Sequence, residues 1–259
     1  MKPRILLAAG ACLCLWLASP VPAGDFAQTV ADVLRQEKSA AAVAMRGLGG
    51  ARPEAALPAV LGFDPNVPSA LRRQTLADLA FVAGIRGQGA SRLHAAIFGP
   101  VDGSTYIRWF LSRVRWIGMD WGSEGLAYAM AGPKLWLTRN YVNRCHAQVF
   151  RVAVLFHEAR HTEFEHRYWP HALCPRRFTD EAGDAVRSLL TGELLAGEPA
   201  CDATPLGSYG TELAMLKNIQ RFCANCTEKV LMDAGLFAED SRRRMLGDAQ
   251  AAVRADLKP

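Results

Sequence analysis

The stretch Val154-Leu155-Phe156-His157-Glu158-Ala159-Arg160-His161-Thr162 decides how the rest of the chain is read. Four residues along an α-helix advance about 6 Å and rotate roughly 40° beyond a full turn. His157 and His161 would therefore leave one face of a helix, one turn apart. Two imidazoles placed that way can each reach a single Zn2+ ion at about 2.0–2.1 Å. Glu158 follows the first histidine and can lie beside the ion without binding it, where it can take a proton from a metal-bound water and later pass it to a leaving amine. The chemistry expected is hydrolysis of a peptide bond without a covalent intermediate, and it asks for three protein ligands and an open position.

The helix around this motif is well supported by pattern. Ala147 to Tyr168 carries Val149, Val152, Leu155, Phe156 and Ala159 at helical spacing, and Pro170 and Pro175 follow it. The preceding turn is apolar, which argues against a solvated surface helix that happens to hold two histidines. Upstream, Leu126 to Met130 and Leu135 to Thr138 flank Ala131-Gly132-Pro133-Lys134 and read as a β-hairpin. Further helices are expected over 25–46 and 68–85, from the Asp102-Gly103-Ser104 cap through Ile117, over 211–221, and from Ala234 to the C-terminus. The glycine-rich run 84–103 is the expected internal boundary. The class is α+β and mostly helical: a leader over 1–23, a helical segment over 24–102, and the motif-bearing domain with C-terminal helices over 103–259.

The hairpin followed by the apolar helix bearing His157-Glu158-Ala159-Arg160-His161 resembles the zincin metallopeptidases. The wording around it, with His171-Ala172-Leu173-Cys174-Pro175, Cys201-Asp202 and Ser208-Tyr209-Gly210, is similar to a group of exported bacterial proteins of poorly defined function. The resemblance implies a zincin-like catalytic domain over about residues 103–221, with Zn2+ as cofactor and a peptide or protein as substrate.

The third ligand has several candidates. The metzincin pattern would put a histidine where Arg167 stands, so that pattern does not apply. His171 follows Trp169-Pro170, where the chain can turn back, and it ranks first. A helix continuing to Tyr168 would carry the chain about 10 Å past His161, so His171 needs an earlier break. Glu212 ranks second, in the first turn of a later helix, where an acid is also favourable for the helix dipole alone. His166 ranks third, because on a continuous helix it would face away. Tyr209 is either an oxyanion donor or a core residue. Arg160 is expected to pair with an acid such as Glu163. His94 and His146 read as structural or solvated, and the tryptophans before the motif as core. If His157, His161, His171 and Glu212 all bound the ion, the closed site would favour a structural metal in a partner-binding domain. Hydrolysis of a non-protein amide, such as a cell-wall linkage, is the other alternative.

Composition sets the context. The 259 residues are 50% hydrophobic and 21% charged, which excludes a disordered or collagen-like chain. The formal charge of +5 is too small to imply nucleic acid as partner. Met1-Lys2-Pro3-Arg4, an apolar run to Ala18, and small residues before Ala23 form a secretory signal pattern, so the expected location is periplasmic or secreted. Ala9-Gly10-Ala11-Cys12 loosely resembles a lipidation box, and contact with a membrane is expected only through a lipid on Cys12. Beyond the leader stand Cys145, Cys174, Cys201, Cys223 and Cys226. In an oxidising compartment the expected bridges are Cys174–Cys201 and the local Cys223–Cys226, with one thiol left over.

Overall fold

The structure is a computed structural model that describes residues 61–257 except 124, 131, 144, 145, 181 and 190. The expected leader with Cys12, the helix over 25–46 and Cys145 lie outside the described residues. In chain order the elements are β1 (Gly62–Phe63), α1 (Ser69–Ala83), α2 (Arg92–Ile97), α3 (Gly103–Leu111), β2 (Trp116–Asp120), β3 (Ala127–Ala129), β4 (Lys134–Thr138), α4 (Arg139–Asn143), α5 (Gln148–Arg160), a 3-10 turn (Phe164–His166), α6 (Ser208–Phe222), α7 (Glu228–Arg243) and α8 (Gly247–Asp256). About 48% helix and one small sheet make this a mixed α+β fold. None of the described helices is long and apolar enough to cross a membrane.

The sheet has the order β1-β2-β4-β3. β1, β2 and β4 run parallel, with Trp116 opposite Lys134 and Asp120 opposite Thr138. β3 is the antiparallel partner of β4, Ala127 opposite Leu137 and Ala129 opposite Leu135, and it forms one edge. The hairpin read from the sequence is this β3–β4 pair. The helix expected through Ile117 stops at Leu111, and Ile117 is instead a fully buried residue of β2. Its burial between β1 and β4 outweighs the helical spacing of the run before it.

α5 is buried on nearly all sides, from Val149 and Phe150 through Val152 to Arg160. A helix apolar all round belongs in the middle of a domain, and here α1, α6, α7 and β3 surround it. Phe156, the residue before His157, sits among Phe98, Tyr106, Trp109 and Phe110, with the Trp109 ring stacked on it at 5.6 Å. A bidentate pair joins α5 to α1: Arg151 Nε donates to Asp78 Oδ2 at 2.8 Å and Nη2 to Oδ1 at 2.6 Å, with Asp78 fully buried. These contacts fix the rotation of the helix and so the direction of its histidines. One buried cluster runs from Val67 to Val253, so residues on both sides of Gly103 share a core. Of the tryptophans expected inside, Trp109 is buried, whereas Trp116 and Trp121 are half exposed.

Both expected bridges are present, Cys174–Cys201 and Cys223–Cys226. They fit an oxidising compartment.

Candidate metal centre

α5 ends at Arg160, well before Tyr168, and that early end positions the site. Thr162 turns its hydroxyl back to the Ala159 carbonyl at 2.8 Å, and the chain enters the 3-10 turn at Phe164. Arg167, Tyr168 and Trp169 then take positive φ values of 53°, 64° and 46°. Three successive non-glycine residues there need outside support, since each is strained. Glu163 supplies much of it. Its Oε1 accepts from Arg113 Nε at 2.6 Å and Arg160 Nη1 at 2.8 Å, and its Oε2 accepts from Trp169 Nε1 at 2.7 Å. Its backbone carbonyl accepts from Tyr168 N at 2.9 Å. The expected Arg160–Glu163 pair is thus one part of a larger hub.

The reversed chain brings His171 against the helix. Its Nε2 lies 3.3 Å from His157 Nε2 and 3.1 Å from His161 Nε2. Ligating atoms of the three histidines all fall within 4.8 Å of one another. Every Nδ1 has its own partner on the far side of the ring: Glu212 Oε2 at 3.1 Å for His157, the Tyr168 carbonyl at 2.8 Å for His161, and Asp202 Oδ1 at 3.0 Å for His171. A carbonyl oxygen only accepts, so His161 Nδ1 carries the hydrogen and its Nε2 presents a bare lone pair. Asp202 accepts through its other oxygen from Tyr209 N at 2.8 Å and Gly210 N at 3.2 Å, and its Oδ1 accepts from His171 in the same way. His171 Nε2 is then bare as well. Burial first, then the neighbouring imidazoles, hold His157 and His161 below the usual histidine range, so both stay neutral. Lone pairs facing each other at 3.1 Å repel unless a cation lies between them. Ligands at 2.0–2.1 Å from one tetrahedral centre stand about 3.3 Å apart, close to the two separations that His171 Nε2 makes with the other rings.

The other candidates are placed elsewhere. Glu212 lies behind His157 on Nδ1, where it orients the ring and does not join the three nitrogens. Burial and the nearby Asp240 push its carboxyl up to about 8, opposed by Arg244 and Ser241. His166 is exposed in the 3-10 turn, its ring 4.5 Å from that of Trp169. His94 is a buried structural residue, bonded to the Gly99 carbonyl at 2.9 Å and the Tyr106 hydroxyl at 2.6 Å.

Glu158 faces the open side. Burial pushes its carboxyl up to about 8, and the Ala129 backbone amide on edge strand β3 pulls it back. Two cavities meet at Glu158, His171 and Ala127. One of about 660 Å3 runs along α5 past Val154 and Phe150 to Leu195, Tyr209 and Arg244. The other, of about 380 Å3, lies between Met130, His161 and Tyr168. Tyr209 packs its ring 4.5 Å from His157 and 4.7 Å from His171. Its hydroxyl accepts from Arg244 Nη1 at 3.1 Å. Because that arginine can only donate, the phenolic hydrogen is left to donate elsewhere.

Sequence reasoning gave Asp202 no role, read Glu163 only as the partner of Arg160, and gave Glu212 a different role. Asp202 had a signal: an expected Cys174–Cys201 bridge sets the residue after Cys201 beside the chain that carries His171. It also needs Gly207, where any side chain would run into the Asp202 carboxylate. No protein-family model, curated protein or solved structure matches the chain.

Proposed function

We propose that the chain is an exported zinc-dependent metallohydrolase of the zincin type, and that it cleaves peptide bonds. The observation that carries this reading is the set of three imidazoles in which His171 Nε2 lies 3.3 Å from His157 Nε2 and 3.1 Å from His161 Nε2 while all three Nδ1 atoms are held from behind. Three imidazoles in a tetrahedral arrangement suit Zn2+. When bound, the ion supplies Lewis acidity that polarises a carbonyl and lowers the pKa of water.

The remaining work falls to the protein's own groups. Glu158 is a carboxylate stripped of solvent beside the cluster, and a positive charge nearby brings it to its ionised form. In that form it takes the proton of the attacking water and returns it to the departing nitrogen. Tyr209 has a hydrogen to donate toward charge developing on the carbonyl oxygen. An extended peptide fits the site because β3, the edge strand among the described residues, borders both cavities, and the outer side of an edge strand can pair with a further strand. A purely structural metal is less well supported. Glu212 is used behind His157, so the position facing the cavities has no fourth protein ligand among the described residues.

Glu158→Gln tests the reading. The variant is expected to retain zinc at wild-type stoichiometry and to lose cleavage of an unfolded-protein or mixed-peptide substrate by about 10²–10⁴-fold. Unchanged cleavage in this variant would remove the hydrolytic assignment.

A further inference from the structure

His157 and His161 come from a helix held in the core, but His171 comes from a chain that has just left it. On its N-terminal side are the three positive-φ residues of the turn. On its C-terminal side the chain is fastened to the segment 197–201, where Cys174 N donates to the Glu198 carbonyl at 2.8 Å and Gly197 N to the Cys174 carbonyl at 3.2 Å. Ala172 N donates to the Cys201 carbonyl at 2.7 Å, Cys201 N donates to the Ala172 carbonyl at 3.2 Å, and Cys174 is bonded to Cys201. Cys201 directly precedes Asp202, whose carboxylate orients His171. This fastening holds the chain that carries the ligand against Cys201, next to the orienting acid, while Asp202 is itself anchored through Asp202 N to the Arg244 carbonyl and Leu246 N to the Asp202 carbonyl, both at 2.9 Å.

The segment closed by the bridge spans 27 residues in sequence and is tied to α7 and the chain after it by hydrogen bonds such as Leu189 N to Asp240 Oδ1 at 2.6 Å and Arg244 Nη1 to the Ala200 carbonyl at 3.4 Å. It forms only isolated bridges, Thr179 with Ala185 and Arg187 with Leu194. Its apolar cluster is separate from the main core and consists of Cys174, Cys201, Val186 and Leu195. Without the covalent link, ordering a loop of this length carries the closure entropy that the bridge removes from the unfolded chain.

We propose that the Cys174–Cys201 disulfide positions the third ligand, so that the chain captures its metal at full affinity only after this bridge has formed. The proposal rests on the three-imidazole reading of the site. The covalent step is ordinary thiol–disulfide exchange with a disulfide oxidant. Cys174 and Cys201 give up two electrons and two protons, one S–S bond forms between them, and the oxidant's S–S bond becomes two thiols. Before oxidation the chain offers a two-histidine site on α5. After oxidation it offers three imidazoles. Cys174 and Cys201 are 2% and 0% exposed, so the closed bridge is shielded from dissolved thiols. Loading is thereby tied to the oxidising compartment. Cys223–Cys226 joins residues three apart just after α6 and fastens neither His171 nor Asp202.

The test is a zinc titration against a chromogenic chelator on the wild type, C174A/C201A, C223A/C226A and His171→Ala, with far-UV circular dichroism on each and the Co2+ absorption spectrum as a report of ligand number. C174A/C201A is expected to keep the helical signal, to bind zinc at least about tenfold more weakly, and to shift its Co2+ spectrum toward that of His171→Ala. C223A/C226A is expected to match the wild type. Wild-type affinity in C174A/C201A overturns the proposal, as does an equal loss in C223A/C226A. Loss of the helical signal in C174A/C201A also overturns it, because the bridge would then serve the whole fold. Failure of the wild type itself to bind zinc overturns the metal site, and it is distinguishable from failure of the bridge's role.

Discussion

Backbone carbonyls cannot donate, and at His161 that fact settles where the ring hydrogen sits. The same kind of reasoning applies to His94, away from the metal site. Burial lowers its pKa to about 4, against 6.5 for a free histidine, while the Gly99 carbonyl and Asp256 act weakly the other way. As pH falls below 6.5 the unfolded chain takes up this proton and the folded chain does not, so stability is complete above 6.5 and declines toward pH 4. The slope is up to about 1.4 kcal/mol per pH unit, for a total of about 3 kcal/mol. Urea unfolding at several pH values in the presence of a chelator should show this slope. His94→Gln should be less stable at pH 7 and should lose that share of the pH dependence. An unchanged slope would mean the ring is not held neutral. At this scale the sequence was informative for His157, Glu158 and His161, because helix periodicity alone relates them. It offered Glu212 only as a ligand and gave Asp202 no role, because these two act on rings 55 and 31 residues away in sequence.

Among the elements, the turn that follows α5 matters most. Its residues read as a continuation of the helix, and no proline or glycine between His161 and Trp169 marks the break. The break depends on Glu163 gathering Arg113, Arg160 and Trp169, which are brought together only by the tertiary fold. Glu163→Gln leaves Arg160, which is 6% exposed, without its bonded carboxylate and with Asp202 as the remaining acid acting on it. The expected loss is about 3 kcal/mol of stability and about tenfold or more in zinc affinity, since the turn that delivers His171 relaxes. Denaturant unfolding and a chelator-competition titration measure the two effects. A loss of stability with zinc affinity intact would separate the hub from the site. The β3–β4 hairpin was legible because alternating apolar runs flank a Gly-Pro turn. β1 and β2 were not: one has only two residues, and the other continues the apolar spacing of α3.

Across the whole molecule, the site joins parts that pack separately. α5 belongs to the main core, His171 and Asp202 flank the small disulfide cluster, and Glu212 lies on α6. An ion bound to His157, His161 and His171 therefore ties the loop to the core and should stabilise the native state. At zinc concentrations one hundred times the dissociation constant the gain is about 2.7 kcal/mol, or roughly 5–10 °C in Tm for a domain of this size. Thermal unfolding with zinc and with chelator tests this, and identical midpoints would contradict it. Composition and pattern conveyed the α+β class and both bridges. The packing of residues 61–102 into the same core as the rest was not visible, because shared burial leaves no mark in local sequence.

The central claim is that three imidazole nitrogens surround one ion and leave one side open. X-ray absorption at the zinc edge of the purified, zinc-loaded protein measures this directly. The account predicts one zinc per chain, with three imidazole nitrogens and one oxygen from solvent at about 2.0–2.1 Å. A protein that takes up no stoichiometric zinc, or whose zinc has sulfur or four protein nitrogens around it, would contradict the account.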